Sequence, residues 1–485
     1  MAAVLQAGSV NAEGVQDTRI AQVEIPANPE MPAAPSPTLQ LRQAPWTVTI
    51  GLFTGSQLVL EDNTFWGLSE VFAPTAAYNP DRVWNEAWLI PSLRVDLDLA
   101  PALKVYGAVA PAATGTLGND LFEQGNSGEV SLENAFGGVR LGGKTAGFTL
   151  DLSGGQQPYR LGTGFLIDLG AQNGNSRGAL LVAPRRAWKS TAIARFSSGR
   201  LAADAFLLDF NAITSSDPAT TLWGTKLELG LTETPSDERL GLAYLQVTES
   251  TMPYISAPLT IIENGRKGTQ VVNPYLHLRP LRRSLPGLTT ALEGAYQWNN
   301  DITLSSWAVS AEVGHQWRNA PLMPRLSYAF RQYSGDNPAT ATLERFDPLF
   351  YDGGVYAFAS GSNAALTFYN TNVLSHRLAL SLSLSPKDLL TLSYWRVSAA
   401  QLNSPLQFGQ GGRLVELGGQ PVLISGVPAH HLSDDLYLEY VRSLFTNTYL
   451  TLGVGVSFPG KGLMEAGGGT LNTWLGGLMN LTVTF

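Results

Sequence analysis

The sequence ends on "LMNLTVTF", residues 478–485. Met479, Leu481, Val483 and Phe485 alternate with Asn480, Thr482 and Thr484, so a strand here carries one apolar face and one polar face. Such a strand with an open edge is an aggregation hazard, because its unpaired N–H and C=O groups template further pairing. It is tolerable where another strand of the same chain closes on it. The fold therefore turns on whether the sequence supplies a sheet that returns to its own beginning.

The period of two runs from Trp46 almost without interruption. "WTVTIGL" puts Trp46, Val48, Ile50 and Leu52 on one face. "LIPSLRVDLDL" sets Leu93, Val95, Leu97 and Leu99 against Arg94, Asp96 and Asp98. "HRLALSLSLS" sets Leu378, Leu380, Leu382 and Leu384 against Arg377, Ala379, Ser381 and Ser383. The pattern predicts strands at 46–58, 85–99, 103–113, 129–141, 147–156, 187–197, 200–211, 221–232, 239–249, 270–280, 287–298, 304–317, 322–333, 373–385, 388–399, 433–444, 447–458 and 473–485. Short connections such as 100–101, 198–199, 386–387 and 445–446 alternate with long ones such as 59–84, 157–186, 250–269, 334–372 and 400–432. A soluble sandwich needs neither this alternation nor this many strands. Short turns at one rim and long loops at the other define an all-β, transmembrane antiparallel β-barrel of about 18 strands. An open edge in lipid would leave backbone groups unsatisfied, so the last strand must pair with the first. Leu481, Val483 and Phe485 then resemble the terminal signal read by the outer-membrane barrel assembly machinery.

Composition agrees. Charged residues make up 14% of the chain, against roughly 25% in soluble domains. No run of about 18 apolar residues is present, which excludes a membrane-spanning helix. Cysteine is absent, which removes disulfides, thiol nucleophiles and Cys-zinc sites. The net charge of -8 and the lack of a basic tract argue against nucleic acid. Residues 1–45 form an N-terminal segment, Pro/Ala-rich over 26–45, expected on the periplasmic side, ahead of a barrel over 46–485. Its Val10-Asn11-Ala12 reads as the remnant of a secretory signal or as a disordered terminus.

Two stretches resemble the alginate-export family of outer-membrane proteins. "ENAFGGVRLGGKTAGFTLDLSGGQQPYRLGTGFLI", residues 133–167, is similar to a Glu-Ala-aromatic strand followed by a Gly-Arg-Gln motif, with Gly155, Gln156 and Gln157 at that motif. "ERFDPLFYDGG", residues 344–354, is similar to a Phe-Asp-Pro-Leu-Phe segment. The resemblance implies an 18-stranded pore. The family's arginine is replaced by Gln156, with Arg160 four residues on, which weakens the expectation of a polyanionic cargo.

Strand parity puts both signs of charge on the inward face. The pore-lining set is Arg94, Lys189, Arg195, Lys226, Arg279, Arg325, Arg331 and Arg377 beside Asp96, Asp98, Glu133, Asp151, Glu228, Glu293, Glu312 and Glu439. Opposed charges set a transverse field that orients polar solutes, and Arg325, Arg331 and Arg377 make a candidate basic patch. A bare 18-stranded lumen is wide, so a constriction is expected from the long loops, through Arg160 and Arg177 in one and Arg345 and Asp347 in the other. Trp84, Trp88, Trp298, Trp307, Trp317, Tyr394 and Trp395 read as a lipid-interface girdle, with Tyr333 and Trp395 as alternative sugar-stacking rings. "HHLSDD", with His430 and His431 near Asp434 and Asp435, holds the materials of a hydrolytic or metal site, but a polar loop entering a strand accounts for it.

The reading is an outer-membrane channel of a Gram-negative bacterium for passive passage of hydrophilic solutes, with saccharide or polysaccharide export as the narrower expectation. It has no catalytic residues, no metal and no cofactor. Its partners are outer-membrane lipid and lipopolysaccharide, the barrel assembly machinery, a periplasmic export partner and the solute. The alternatives are a substrate-specific uptake porin for small organic ions, a rim-located barrel hydrolase and a plugged structural barrel.

Overall fold

A computed structural model describes residues 39–68, 78–143, 146–232, 238–257, 260–351, 368, 370–406, 413–417, 420–424 and 426–485. Most of the N-terminal segment and part of the 334–372 loop lie outside the described residues. The wall is built from β1 (Trp46–Asp62), β2 (Arg82–Ala100), β3 (Leu103–Gly118), β4 (Ser127–Gly143), β5 (Phe148–Gln157), β6 (Trp188–Ser198), β7 (Leu201–Asp209), β8 (Thr221–Gly230) and β9 (Arg239–Glu249). It continues through β10 (Gln270–Leu278), β11 (Leu288–Asn299), β12 (Leu304–Gln316), β13 (Arg325–Tyr333), β14 (Val373–Ser385), β15 (Asp388–Ala399), β16 (His431–Phe445), β17 (Thr448–Pro459) and β18 (Trp474–Thr484). Each strand pairs antiparallel with its neighbours in sequence, and β18 closes on β1 from Thr484↔Phe53 to Leu475↔Asp62. The result is a closed barrel of 18 strands, each overlapping a stretch where the alternation predicts one, with several running longer.

β1 is longer than the strand that closes on it. Phe485 pairs its backbone with Leu52, which leaves the first residues of β1 with a bare edge. A strand over Leu39–Gln43 folds back onto Trp46–Ile50 and fills that edge, so the sheet begins inside the 1–45 segment. Two further hairpins, Tyr254–Ser256 with Thr260–Ile262 and Arg413–Leu417 with Gln420–Ile424, and a helix at Lys461–Ala466 sit in the long loops. All are too short to leave a period in the sequence.

The terminal strand shows how the two faces divide. Leu475, Met479, Leu481 and Phe485 are exposed on the outer wall, whereas Asn480 and Thr482 are buried on the inner one. Asn480 donates from Nδ2 to Gln57 Oε1 at 3.1 Å, and Thr482 donates to Asn480 Oδ1 at 2.8 Å. On β16 the outer face runs Asp434, Leu436, Leu438, Tyr440, Arg442. Above the leucines Asp434 accepts from Tyr394 at 2.6 Å and pairs with Arg396 at 3.5 Å. Below them Asp388 accepts from Tyr440 at 2.6 Å and pairs with Arg442 at 3.5 Å. Asp434 and Arg442 are about 27 Å apart along the strand at about 3.4 Å per residue; strand tilt reduces this to about 20 Å, close to the apolar band of an outer-membrane barrel. Inward glycines make room for rings. A Cβ at Gly241 would lie 2.0 Å from the Tyr275 ring, and one at Gly138 2.5 Å from Tyr106, so these tyrosines lie flat across the neighbouring strand.

Leu438 lies midway between the two charged rows. Leu438→Arg should therefore cost about 2–4 kcal/mol, the range for a cation at the bilayer midplane, while Arg442→Leu at the lower row should change stability by less than about 1 kcal/mol. Urea unfolding of the protein in lipid vesicles measures both.

Candidate functional site

The long connection at 158–187 has a composition unlike that of a surface loop. It carries Leu161, Phe165, Leu166, Ile167 and Leu169 and then "ALLVA". Those five named apolar side chains are at most 4% exposed, because the loop turns into the lumen and buries them there. Polar groups on the wall hold it from both sides. Thr163 donates to Glu293 on β11 at 2.6 Å. The N–H groups of Leu181 and Val182 donate to Glu86 on β2 at 2.9 and 3.0 Å. β2 and β11 stand nine strands apart in a ring of 18, so the loop crosses the whole lumen. On β4, Glu133 accepts from the N–H groups of Arg186 and Ala187 at 2.7 and 2.8 Å. The Arg185 guanidinium lies 3.3 Å from both Glu129 and Glu133.

The second long loop joins the first. Phe350 donates its N–H to Leu166 at 2.9 Å and accepts from Asp168 and Leu169 at 2.7 and 3.1 Å. Around this junction Phe165 stacks on Tyr333 at 5.7 Å, Trp188 meets Phe350 at 5.1 Å, and Phe210 meets Phe350 at 4.5 Å. The barrel thus holds a small hydrophobic core inside its lumen. Asp347 anchors the second loop through a two-point pair with Arg266 at 2.7 and 3.0 Å. Burial alone would raise the Asp347 carboxyl, but the Arg266 guanidinium and further hydrogen bonds hold it below its ordinary value. Asp336 accepts from Tyr254 at 2.7 Å, Glu344 N–H at 2.6 Å and Arg345 N–H at 2.8 Å.

Toward the short-turn rim, directly paired inward positions carry a belt of charge. Asp98, Lys104, Arg140, Asp151, Arg195, Asp204 and Lys226 stand opposite one another on consecutive strands from β2 to β8. Lys104 pairs with Asp98 at 3.2 Å, Arg140 with Asp151 at 2.8 Å, and Lys226 with Asp204 at 3.0 Å. Arg195 lies over the Tyr159 ring at 5.6 Å. This belt is nearly self-neutralised.

The sequence-predicted site residues fall into three groups. Arg94 (paired with Asp96 at 2.9 Å and stacked on Tyr106), Arg195, Arg325, Arg331, Arg377 and Glu312 lie on inner-wall positions. Arg325 and Arg331 both approach Glu312, at 3.3 and 3.9 Å, so the expected basic patch has a carboxylate beside it. Glu133, Glu293, Arg160, Arg177, Arg345 and Asp347 are tied into the crossing loops. Arg160 is 3.8 Å from Asp168, and Arg177 donates to Gln172, Asn211 and Ala212 backbone oxygens. Lys189 is a correction. A bulge opposite Gly155 and Gln157 shifts the register and leaves Lys189 on the outer side near the rim, 3.9 Å from Asp209 and 3.8 Å from Asp217.

Trp84, Trp88 and Trp395 are likewise buried on the inner face and do not join the girdle, which on the outer wall includes Trp223, Tyr244, Trp298 and Trp307. "HHLSDD" does not converge. Strand alternation sends Asp434 outward, 2.9 Å from His431, and Asp435 inward to Ser433 at 3.3 Å, while His430 Nδ1 lies 2.7 Å from the Ala399 oxygen. Among the described residues no cluster of three His, Asp or Glu could hold a metal ion. The sequence does not single out Glu86, Arg266 or Gln297, whose Oε1 accepts from Asp347 N–H at 2.8 Å. The parity of Arg94, carried back along β2, places Glu86 inward with Trp84 and Trp88, and reading those tryptophans as girdle hid it.

The closed 18-strand wall and its apolar outer band define a transmembrane β-barrel of the outer-membrane type. Residues 286–473 match the profile of the alginate export family. That match includes the 344–354 segment and leaves out 133–167. No curated protein matches the chain. Among solved structures, OccK2 (OpdF) of Pseudomonas aeruginosa superposes with a TM-score of 0.52 at 11% identity, over 90% of this chain and 97% of that one. OccK5 (OpdH) of the same organism gives 0.46 at 12% identity, over 90% and 98%. Salmonella typhi OmpF in complex with daunomycin gives 0.40 at 8%, over 92% and 100%. At these identities the likeness concerns the fold.

Glu86→Ala removes the acceptor for Leu181 N–H, Val182 N–H and the Trp84 indole. A buried donor left unsatisfied costs about 1–3 kcal/mol, so amide exchange at residues 181 and 182 should accelerate by roughly ten- to a hundred-fold while the barrel strands keep their protection. The lowered Asp347 carboxyl gives a signed pH effect. Its pair with Arg266 stabilises fully above the ordinary aspartate range of about 4 and is lost as pH falls through the lowered value. Asp347→Asn should weaken the protein at neutral pH and flatten its loss of stability below about pH 4, which urea midpoints measured against pH would reveal.

Proposed function

We propose that this protein is a gated, passive channel for hydrophilic solutes in the outer membrane of a Gram-negative bacterium, with no chemical step. The observation that supports the reading best is the pair of lumen-crossing loops. They are held to the wall by hydrogen bonds and ion pairs that can be exchanged for water, with a polar, mixed-charge wall toward the short-turn rim. A barrel serving only as a scaffold has no need of such a wall. Lipid and lipopolysaccharide surround the outer face in this reading. Leu481, Val483 and Phe485 address the chain to the barrel assembly machinery.

The match to the alginate export family supports saccharide or polysaccharide export, with a periplasmic partner delivering the cargo. The self-neutralised belt favours the second reading, a substrate-specific uptake porin for small organic ions, over one for a long polyanion. A polyanion would meet Asp151 and Asp204 as often as the cations beside them.

Planar-bilayer recordings test the proposal. Wild type should show small or infrequent conductance, and deletion of residues 163–183 should raise it several-fold as the crossing loop is removed. A deletion variant that folds and closes its barrel yet carries no current would exclude the channel and leave the plugged scaffold.

A further inference from the structure

Three uncharged hydrogen-bond donors face the lumen from adjacent strands with no acceptor among the described residues. They are the Tyr333 hydroxyl on β13, the Ser375 hydroxyl on β14 and the Trp395 indole N–H on β15, and all three residues are fully buried. Register places them together. Tyr333 stands opposite Val373, Ser375 is the next inward residue on β14, and Trp395 stands opposite Arg377, the inward residue after that. Ser375 is offset by one strand and two residues from each of the others, so the three donors run diagonally across about 16 Å of wall, the length of a short oligosaccharide. Buried polar groups in folded proteins are nearly always satisfied, and each that is not calls for its own explanation. Three on one patch of a lumen wall, with no partner among the described residues, point to a partner that comes and goes.

From this geometry we propose a solute-binding subsite on the inner wall of β13–β15 for a neutral, polyhydroxylated solute such as a saccharide. The inference rests on the channel reading and names its substrate class. The donors fix the chemistry. An indole N–H only donates, so the ligand must present an oxygen acceptor to Trp395. The guanidiniums beside the patch already have partners: Arg331 lies 3.9 Å from Glu312, and Arg377 donates to Ser393 at 3.2 Å. The three donors themselves are uncharged, and they match uncharged acceptors. Recognition runs through the polar edges and not through stacking. The Tyr333 ring is wedged between Phe165 and Phe346, 5.7 Å from each, and Trp395 lies under Arg377 at 5.1 Å. Phe165 and Phe346 belong to the two crossing loops, so a solute bonded to Tyr333 sits where both loops meet the wall. The site is reached when they shift.

The test uses Tyr333→Phe with Ser375→Ala, which removes two donors and almost no volume, in full-length protein and in the 163–183 deletion background. Maltose is the probe, and potassium gluconate serves as a carboxylated comparison at matched ionic strength. Maltose should interrupt the ionic current of the deletion channel with a measurable dissociation constant. The double variant should weaken that constant roughly 30-fold, the product of two hydrogen bonds of about 1 kcal/mol each, while open-channel conductance stays the same. Stability of the double variant should be unchanged or improved, since it loses only unsatisfied groups. Equal maltose block in parent and variant would overturn the subsite while leaving the channel intact. So would gluconate block that depends on the same two hydroxyls where maltose has no effect. Absence of any current in the deletion background would instead overturn the channel reading beneath it.

Discussion

Everything in this molecule depends on the pairing of β18 with β1. In hydrocarbon no water is available to satisfy a free strand edge, and each unsatisfied backbone group costs several kcal/mol. Ten facing pairs from Thr484↔Phe53 to Leu475↔Asp62 remove that edge. Where β1 runs on past Phe485, the Leu39–Gln43 strand takes over the pairing. Closure then dictates the alternation of side chains, because every strand must show lipid one face and the lumen the other. The leucine band bounded by Asp434 and Arg442 and the inner row of serines, threonines and charges are two readings of one constraint.

A closed wall of 18 strands encloses more space than its own inward side chains can fill. The structure meets this with a core that belongs to the loops. Phe165, Leu166 and Ile167 from one loop and Phe346, Leu349 and Phe350 from the other pack in the lumen as they would in a soluble domain. Their backbone polar groups cannot all pair with each other, so Glu86 and Glu133 supply acceptors from the wall, while Glu293 holds the Thr163 hydroxyl. This division of labour explains why several inward carboxylates contribute little to the field in the lumen: they are occupied by backbone N–H groups and by Arg185.

The strands were legible because lipid enforces a strict period of two, and no competing tertiary contact can override it on the outer face. Legibility failed where that enforcement stops. Lys189 sits beside a bulge, and a one-residue shift reverses every face assignment beyond it. Residue type assigns Trp84 and Trp88 to the girdle, whereas the parity of Arg94 on the same strand already places them inward. The loops carried their own signal in the apolar run from Leu161 to Leu169, which marks a buried segment. Which wall residues would receive it was not readable, because Glu86 and Glu293 meet the loop only after 18 strands have closed into a ring.

Glycine and tyrosine show how the wall and the lumen contents are coupled. A ring that lies flat over Gly241 or Gly138 leaves its hydroxyl at the edge of the neighbouring strand. Tyr275 therefore reaches Glu228 at 2.8 Å and Tyr106 reaches Asp151 at 2.5 Å. Those rings are spent on the wall and leave the axis clear. Tyr333 is built differently: its ring meets the crossing loops, and its hydroxyl finds no acceptor among the described residues. The contrast separates aromatic residues that stiffen the barrel from one whose ring packs against the crossing loops.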